Sequence, residues 1–317
     1  MSKRAQILLI LACSFIIGLP SFANEPNKVK LLVLGIAQDA GYPQLNCYLE
    51  HCLPGWKDAS KKRLATSLAV IDESSKKIFV LEATPDIKEQ FYRLNLVAPN
   101  DSYQLGGILL THAHIGHYTG LMHFGREAAG TKNIPVFAMP RMARFLKTNG
   151  PWSQLVKLKN IIIRPITANN TVKLTENIKV TAFKVPHRDE YSETVGYQIE
   201  GPHKKVLFIP DIDKWQKWDR DVGKLFHQVD YAFIDGTFFS GSELPGRNMN
   251  EIPHPFVIES MKRFQSLPQS DKNKVYFIHF NHSNPLLWQW DKAGVNAKEV
   301  VEKAGFHIAQ EGLILDL

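Results

Sequence analysis

The chain has 317 residues, 44% of them hydrophobic and 22% charged, which suits one large soluble domain or two modest ones. No run after the N-terminus approaches the roughly 18 apolar residues of a membrane-spanning helix. The formal net charge is +7, but Lys and Arg are scattered in pairs such as Lys61-Lys62, Lys76-Lys77 and Lys204-Lys205. That is the pattern of a solvated surface and argues against a nucleic-acid partner.

Residues 1–23 read as a targeting segment. Lys3 and Arg4 supply the positive start, Ile7 to Leu19 the apolar stretch, and Ser21-Phe22-Ala23 a small-x-small cleavage signal. Removing it lowers the charge from +7 to +5, since the segment holds no acid. The expectation is a mature protein of residues 24–317, periplasmic or secreted, with no stable membrane association after cleavage. No repeat or obvious linker divides that stretch, so it reads as one domain.

Strands are predicted at Val29–Ile36, Thr66–Ile71 and Lys77–Leu81. A helix runs from Pro85 to about Leu96, with Thr84 as its N-cap. Ile108–Thr111 is a short strand, Tyr118–Ala129 a helix, Ile134–Ala138 a strand and Arg141–Thr148 a short helix. The second half alternates similarly. Strands fall at Ile161–Ile166, Lys179–Val185, Val195–Ile199, Val206–Ile209, Tyr231–Ile234 and Val275–Phe280. Helices fall at Phe256–Phe264 and Ala297–Ala304, and Phe306–Ala309 with Gly312–Leu315 closes the sheet. Mixed strands with interspersed helices predict an α+β layered sandwich, two sheets flanked by helices.

Chemistry concentrates at strand ends. Thr111-His-Ala-His-Ile-Gly-His-Tyr-Thr-Gly120 packs His112, His114 and His117 into one turn, out of 12 histidines in the whole chain. Neutral imidazole is the commonest metal ligand, and zinc takes about four such donors, so the run predicts a metal site. Pro186-His187, Pro210-Asp211 and His279-Phe-Asn-His282 each follow another apolar strand. Ligands at successive strand ends converge on one sheet edge. Cys47 and Cys52, the cysteines outside the leader, admit a disulfide or a metal clip.

His112-Ala-His114-Ile-Gly116-His117 resembles the HxHxDH signature of metallo-β-lactamase-fold hydrolases, and the likeness covers residues 29–317. Within that superfamily the chain is most similar to the pyrroloquinoline quinone biosynthesis protein B group. The stretches that carry this are Gly41-Tyr-Pro43-Gln44-Leu-Asn-Cys47, Ala83-Thr-Pro85-Asp86, His117-Tyr-Thr-Gly120 and Ile278-His279-Phe-Asn-His-Ser-Asn284-Pro285. It also resembles the phosphodiesterase branch, through His187, Gly196-Tyr197 and Asp211.

The resemblance implies a first metal on His112, His114 and His187, with Asp211 bridging to a second metal on His117 and His279. The family's second-metal aspartate is replaced here by Gly116. The second ion would then bind weakly, or water or a nearby acid such as Asp213 or Asp189 would complete it, so one metal or two both stand open. The cation is expected to be zinc, with iron or manganese as alternatives. Glu82 would support the histidine loop, His254 would be the general acid, and Asp235 reads as a structural turn cap. A structural zinc on Cys47, Cys52 and His282, with His51 nearby, is favoured over a disulfide because His282 otherwise lacks a role.

These residues imply hydrolysis of a small phosphodiester, ester or lactone through a metal-bound hydroxide, with Asp211 and His254 as catalytic groups. Two alternatives stay open. One is the role of the pyrroloquinoline quinone biosynthesis group, iron-dependent oxidation or hydroxylation of a peptide-derived tyrosine, although that group lacks most of the three-histidine motif. The other is a non-catalytic metal-binding protein, which Gly116 suggests.

Overall fold

The computed structural model describes residues 28–244, 246–288 and 296–317. The leader expected at residues 1–23 lies outside them. Strands β1 (Val29–Gly35), β2 (Ser67–Asp72), β3 (Lys77–Leu81), β4 (Gln104–Leu109), β5 (Ile134–Ala138) and β6 (Ile161–Pro165) pair with β14 (Ile314–Asp316) in the order β14-β1-β2-β3-β4-β5-β6. A second sheet holds β7 (Thr171–Lys173), β8 (Lys179–Lys184), β9 (Val195–Glu200), β10 (Lys205–Ile209), β11 (Tyr231–Asp235), β12 (Val275–Ile278) and β13 (His307–Ile308), ordered β13-β12-β11-β10-β9-β8-β7.

Side-chain alternation explains the layering. Leu31 and Val33 of β1 point into the core shared with the second sheet, whereas Leu32 and Leu34 point to the opposite face. That opposite face is covered by the helices Ile87–Val97, Pro140–Thr148 and Trp152–Lys157. Helices Val222–His227, Val257–Arg263 and Ala297–Lys303 contribute Phe226, Met261 and Val301 to the core of the second sheet. The predicted α+β sandwich is therefore the observed architecture.

Two local expectations change. Residues 118–129 do not form an α-helix; a single turn at Ile115–Tyr118 is followed by 3-10 structure at Thr119–Phe124. The backbone there is committed elsewhere, since Ala83 N donates to His117 O and Gly120 N donates to Ala83 O. Gly120 lies so close to the 83–84 segment that a Cβ would sit 2.1 Å from Thr84 O. Thr84 does not cap the helix Ile87–Val97, whose N-cap is Asp86; the Thr84 hydroxyl accepts from Asp86 N at 3.1 Å. Helices Leu53–Lys57, Trp152–Lys157, Val222–His227, Gln269–Lys272 and Pro285–Trp288 and strand β7 are additions to the predicted set.

Strands β3, β4, β5 and β6 run parallel, as do β10, β11, β12 and β13. Their carboxyl ends are where polar side chains collect, the usual ligand edge of such sheets. Contacts between the sheets fix the histidine loop. Tyr197 Oη donates to Leu110 O at 2.6 Å, Val195 N to Thr111 O at 3.2 Å, and Ala113 N to Ser192 Oγ at 2.8 Å.

Candidate metal centre

The loop after β4 presents His112, His114 and His117, and the segments after β8, β10 and β12 bring His187, Asp211 and His279 beside them. His112 Nε2 lies 2.9 Å from His114 Nδ1, which lies 3.3 Å from His187 Nε2. Asp211 Oδ2 completes the group, 3.4 Å from His112 Nε2 and 3.2 Å from His187 Nε2. Donors about 2.0–2.1 Å from one tetrahedral cation stand roughly 3.3 Å apart, so these four atoms have the spacing of a single ion's ligands.

Beyond Asp211 a second group forms. His117 Nε2 is 3.8 Å from Asp211 Oδ2 and 3.6 Å from Asp39 Oδ1, and Asp39, His117 and His279 have ligand atoms within 4.8 Å of one another. His117 Nε2 and His279 Nε2 are buried without a hydrogen-bond partner. Orphaned buried nitrogens of this kind call for a ligand, and a divalent cation fits their chemistry. Asp39 was missed in the sequence. The acids expected to fill the gap are occupied elsewhere: Asp213 pairs with His187 Nδ1 at 3.3 Å and with Lys217, and Asp189 pairs with Arg141.

Each ring nitrogen facing away from the centre meets an oxygen. Thr111 Oγ1 is 2.9 Å from His112 Nδ1, Glu190 Oε2 3.1 Å from His114 Nε2, and Thr237 Oγ1 2.9 Å from His279 Nδ1. Glu82, wholly buried as a supporting acid should be, comes within 3.6 Å of His117 Nδ1, an ion-pair approach longer than a hydrogen bond. Such partners set the tautomer and aim the other nitrogen at the metal position. Glu82 (φ 76°) and His279 (φ 70°) both hold left-handed backbone, a strained state that clusters at functional sites.

The electrostatics divide the histidines. Burial pushes His112 well below its ordinary value and takes His279 down to about 4, leaving neutral rings with free lone pairs. Burial acts on His187 too, but Asp211 and Asp213 raise it to about 10. Asp211 is fully buried, yet His187 and His254 hold its carboxyl well below the carboxylate range. A bound cation would take the place of the proton on His187.

His254 stands beside these groups. Its Nδ1 is 2.8 Å from Asp235 Oδ2 and 3.2 Å from Asp211 Oδ1. Asp235 accepts from Thr237 N at 2.8 Å, the turn-capping bond read from the sequence, and also from Thr237 Oγ1 and Ile212 N. It thus holds His254 and the Thr237 that aims His279.

The structural zinc expectation is corrected. Cys47 and Cys52 form a disulfide, and a bonded sulfur is not a thiolate ligand. His282 nevertheless stands by His51, with ring centroids 5.6 Å apart, and burial takes its pKa down to about 4.

Residues 78–280 match the beta-lactamase superfamily domain. The chain is 24% identical over 315 residues to the coenzyme PQQ synthesis protein B of Methylobacterium sp. (strain 4-46), covering 91% of this chain and 100% of that protein. It is 28% identical to the same protein from Acinetobacter baylyi (strain ATCC 33305 / BD413 / ADP1) over 281 residues, 80% of this chain and 90% of that one. Among solved structures, the fold is shared with Zn(2+)-bound PqqB from Methylobacterium extorquens at a TM-score of 0.74 and 22% identity, covering 91% and 100% of the two chains. A diphosphatase from the PhnP family follows at 0.61 and 20% identity, with 92% and 97% covered. The chain belongs to the beta-lactamase superfamily, with the two-sheet metallo-β-lactamase fold and with relatives by sequence and structure in the coenzyme PQQ synthesis protein B group.

Proposed function

We propose that the chain is a metal-dependent hydrolase of a small phosphodiester, ester or lactone. The observation that carries this reading is the four-atom group of His112 Nε2, His114 Nδ1, His187 Nε2 and Asp211 Oδ2 with His254 beside it. Those residues would hold one cation and His117, His279 and Asp211 a second; zinc and iron suit the imidazole-rich donor set, and the carboxylates also admit manganese. When bound, such cations acidify a water and draw charge from a phosphoryl or acyl oxygen. The protein's own groups do the rest. Asp211 Oδ2, 3.4 Å from His112 Nε2 and 3.2 Å from His187 Nε2, would share the first cation with them. Asp235 takes the Nδ1 side of His254, so the other ring nitrogen is left to give a proton to the departing oxygen. Glu82 and Thr237 keep His117 and His279 turned toward the site.

The test is turnover of bis-p-nitrophenyl phosphate, a nitrophenyl ester and a chromogenic lactone before and after chelation. Loss of turnover with the chelator, recovery with Zn2+ or Mn2+, and a drop of about 10²–10⁴ in His254→Ala are expected. Turnover indifferent to chelation sinks the proposal. The leader at residues 1–23 belongs to the same reading, placing the enzyme in the periplasm or outside the cell. Recovered mature protein should begin at Asn24; a cytoplasmic chain retaining Met1 contradicts it.

A second reading has its own support. The similarity to coenzyme PQQ synthesis protein B spans nearly the whole of both chains. A role in that synthesis predicts oxygen-dependent turnover, which the hydrolase reading does not.

A further inference from the structure

We propose that Asp39, delivered from the loop after β1, supplies the second-metal carboxylate that Gly116 cannot. This rests on reading the histidine cluster as a metal centre. A Cβ built on Gly116 would fall 2.3 Å from Asp39 Cα and 2.5 Å from Asp39 Oδ1. The space into which a side chain at 116 would project is therefore filled by Asp39 itself. Gly116 is the residue that lets this loop come close, and the carboxylate reaches the same place from another part of the chain.

The loop is fixed to the strand end that carries His279. Gln38 N donates to Phe280 O at 2.7 Å, Phe280 N donates to Ile36 O at 2.9 Å, and Gly41 N donates back to Gln38 O at 3.1 Å. Asp39 itself sits at φ 43°, a left-handed conformation that Asp tolerates better than most residues. Its Oδ1 lies 3.6 Å from His117 Nε2, within the spacing that two ligands of one ion require. His117 Nε2 and His279 Nε2, both buried and both without a hydrogen-bond partner, face the same small volume. With Asp211 shared, the second ion would have two imidazoles and two carboxylates. The first site does not involve Asp39, so the two ions separate cleanly in a test.

The experiment titrates metal-free full-length protein with Zn2+ by calorimetry, and with Co2+ by its visible absorption, in wild type, Asp39→Asn and Asp39→Gly. Both substitutions suit positive φ, so the fold is preserved, and metal-free melting curves check this. Wild type should bind two ions. Both variants should keep one and bind the other at least about tenfold more weakly or not at all. His112→Ala, as a control, should weaken the other ion. Two ions of unchanged affinity in both variants overturn the role of Asp39 and leave the metal centre standing. A wild type that binds no ion overturns both. A wild type that binds one ion, unaffected by either variant, overturns the Asp39 assignment, as does loss of both ions in both variants.

Discussion

Asp235→Asn probes the polar framework behind the site without changing its shape. Oδ1 of Asp235 accepts from Thr237 N and Thr237 Oγ1, at 2.8 and 2.7 Å, while Oδ2 accepts from Ile212 N and His254 Nδ1, at 3.1 and 2.8 Å. An amide can accept on one side alone. Its NH2 group would face two donors on the other, in surroundings where Asp235 is fully buried. Leaving a buried donor unpaired costs about 1–3 kcal/mol. Two such donors, softened by small shifts, give about 2–4 kcal/mol, a melting temperature lower by roughly 3–7 °C at an unfolding entropy of about 2.1 cal/mol/K per residue. The imidazole of His254 would also have to move its proton off Nδ1 to avoid the amide hydrogens, so the variant should lose turnover beyond its loss of stability. Thermal unfolding of metal-free protein, followed by circular dichroism, reads the first effect. A melting temperature within about 1 °C of wild type would refute the reasoning, because it would mean these four bonds do not hold the segment.

Gly116→Ala should destabilise the fold by about 1–3 kcal/mol, since the methyl group collides with Asp39 backbone and the helical gain of alanine is smaller. An unchanged or raised melting temperature would show that the loop is free to retreat. Tyr197→Phe leaves the Leu110 carbonyl without its 2.6 Å partner beneath the histidine loop, at a cost of about 1–3 kcal/mol in denaturant unfolding. Equal midpoints for variant and wild type would deny that contact its role. Glu243, pushed by burial from 4.5 to about 8, holds a proton in the folded state that the unfolded chain releases near its ordinary value. Folded protein therefore binds more protons between those values, and stability falls as pH rises from about 5 to 8. Glu243→Gln should remove that slope, so its advantage over wild type in melting temperature grows with pH; parallel curves would contradict the assignment.

Much of the centre is legible in the sequence because its ligands follow apolar strands. His112, His187, Asp211 and His279 each come directly or nearly so after such a run, and a layered fold gathers strand ends on one edge. His254 and Glu82 are legible through resemblance to the family, and the structure brings both to the site. Asp39 is not legible, because nothing in Gln38-Asp39-Ala40 has ligand spacing. Its place is set by hydrogen bonds to Phe280, far along the chain. Glu190 and Thr237 are hidden for the same reason, since each meets its histidine across the fold. The misread helix at 118–129 shows the complementary limit. Leu121 and Phe124 are buried and give a helical apolar pattern, but the close packing of Gly120 on residues 83–84 redirects the backbone.

Anomalous X-ray diffraction at the zinc edge, from crystals grown with Zn2+, tests the metal centre most directly. The account predicts a strong peak within ligand distance of His112 Nε2, His114 Nδ1, His187 Nε2 and Asp211 Oδ2, and its disappearance in His187→Ala. A wild-type crystal with no anomalous density among those four side chains would contradict it.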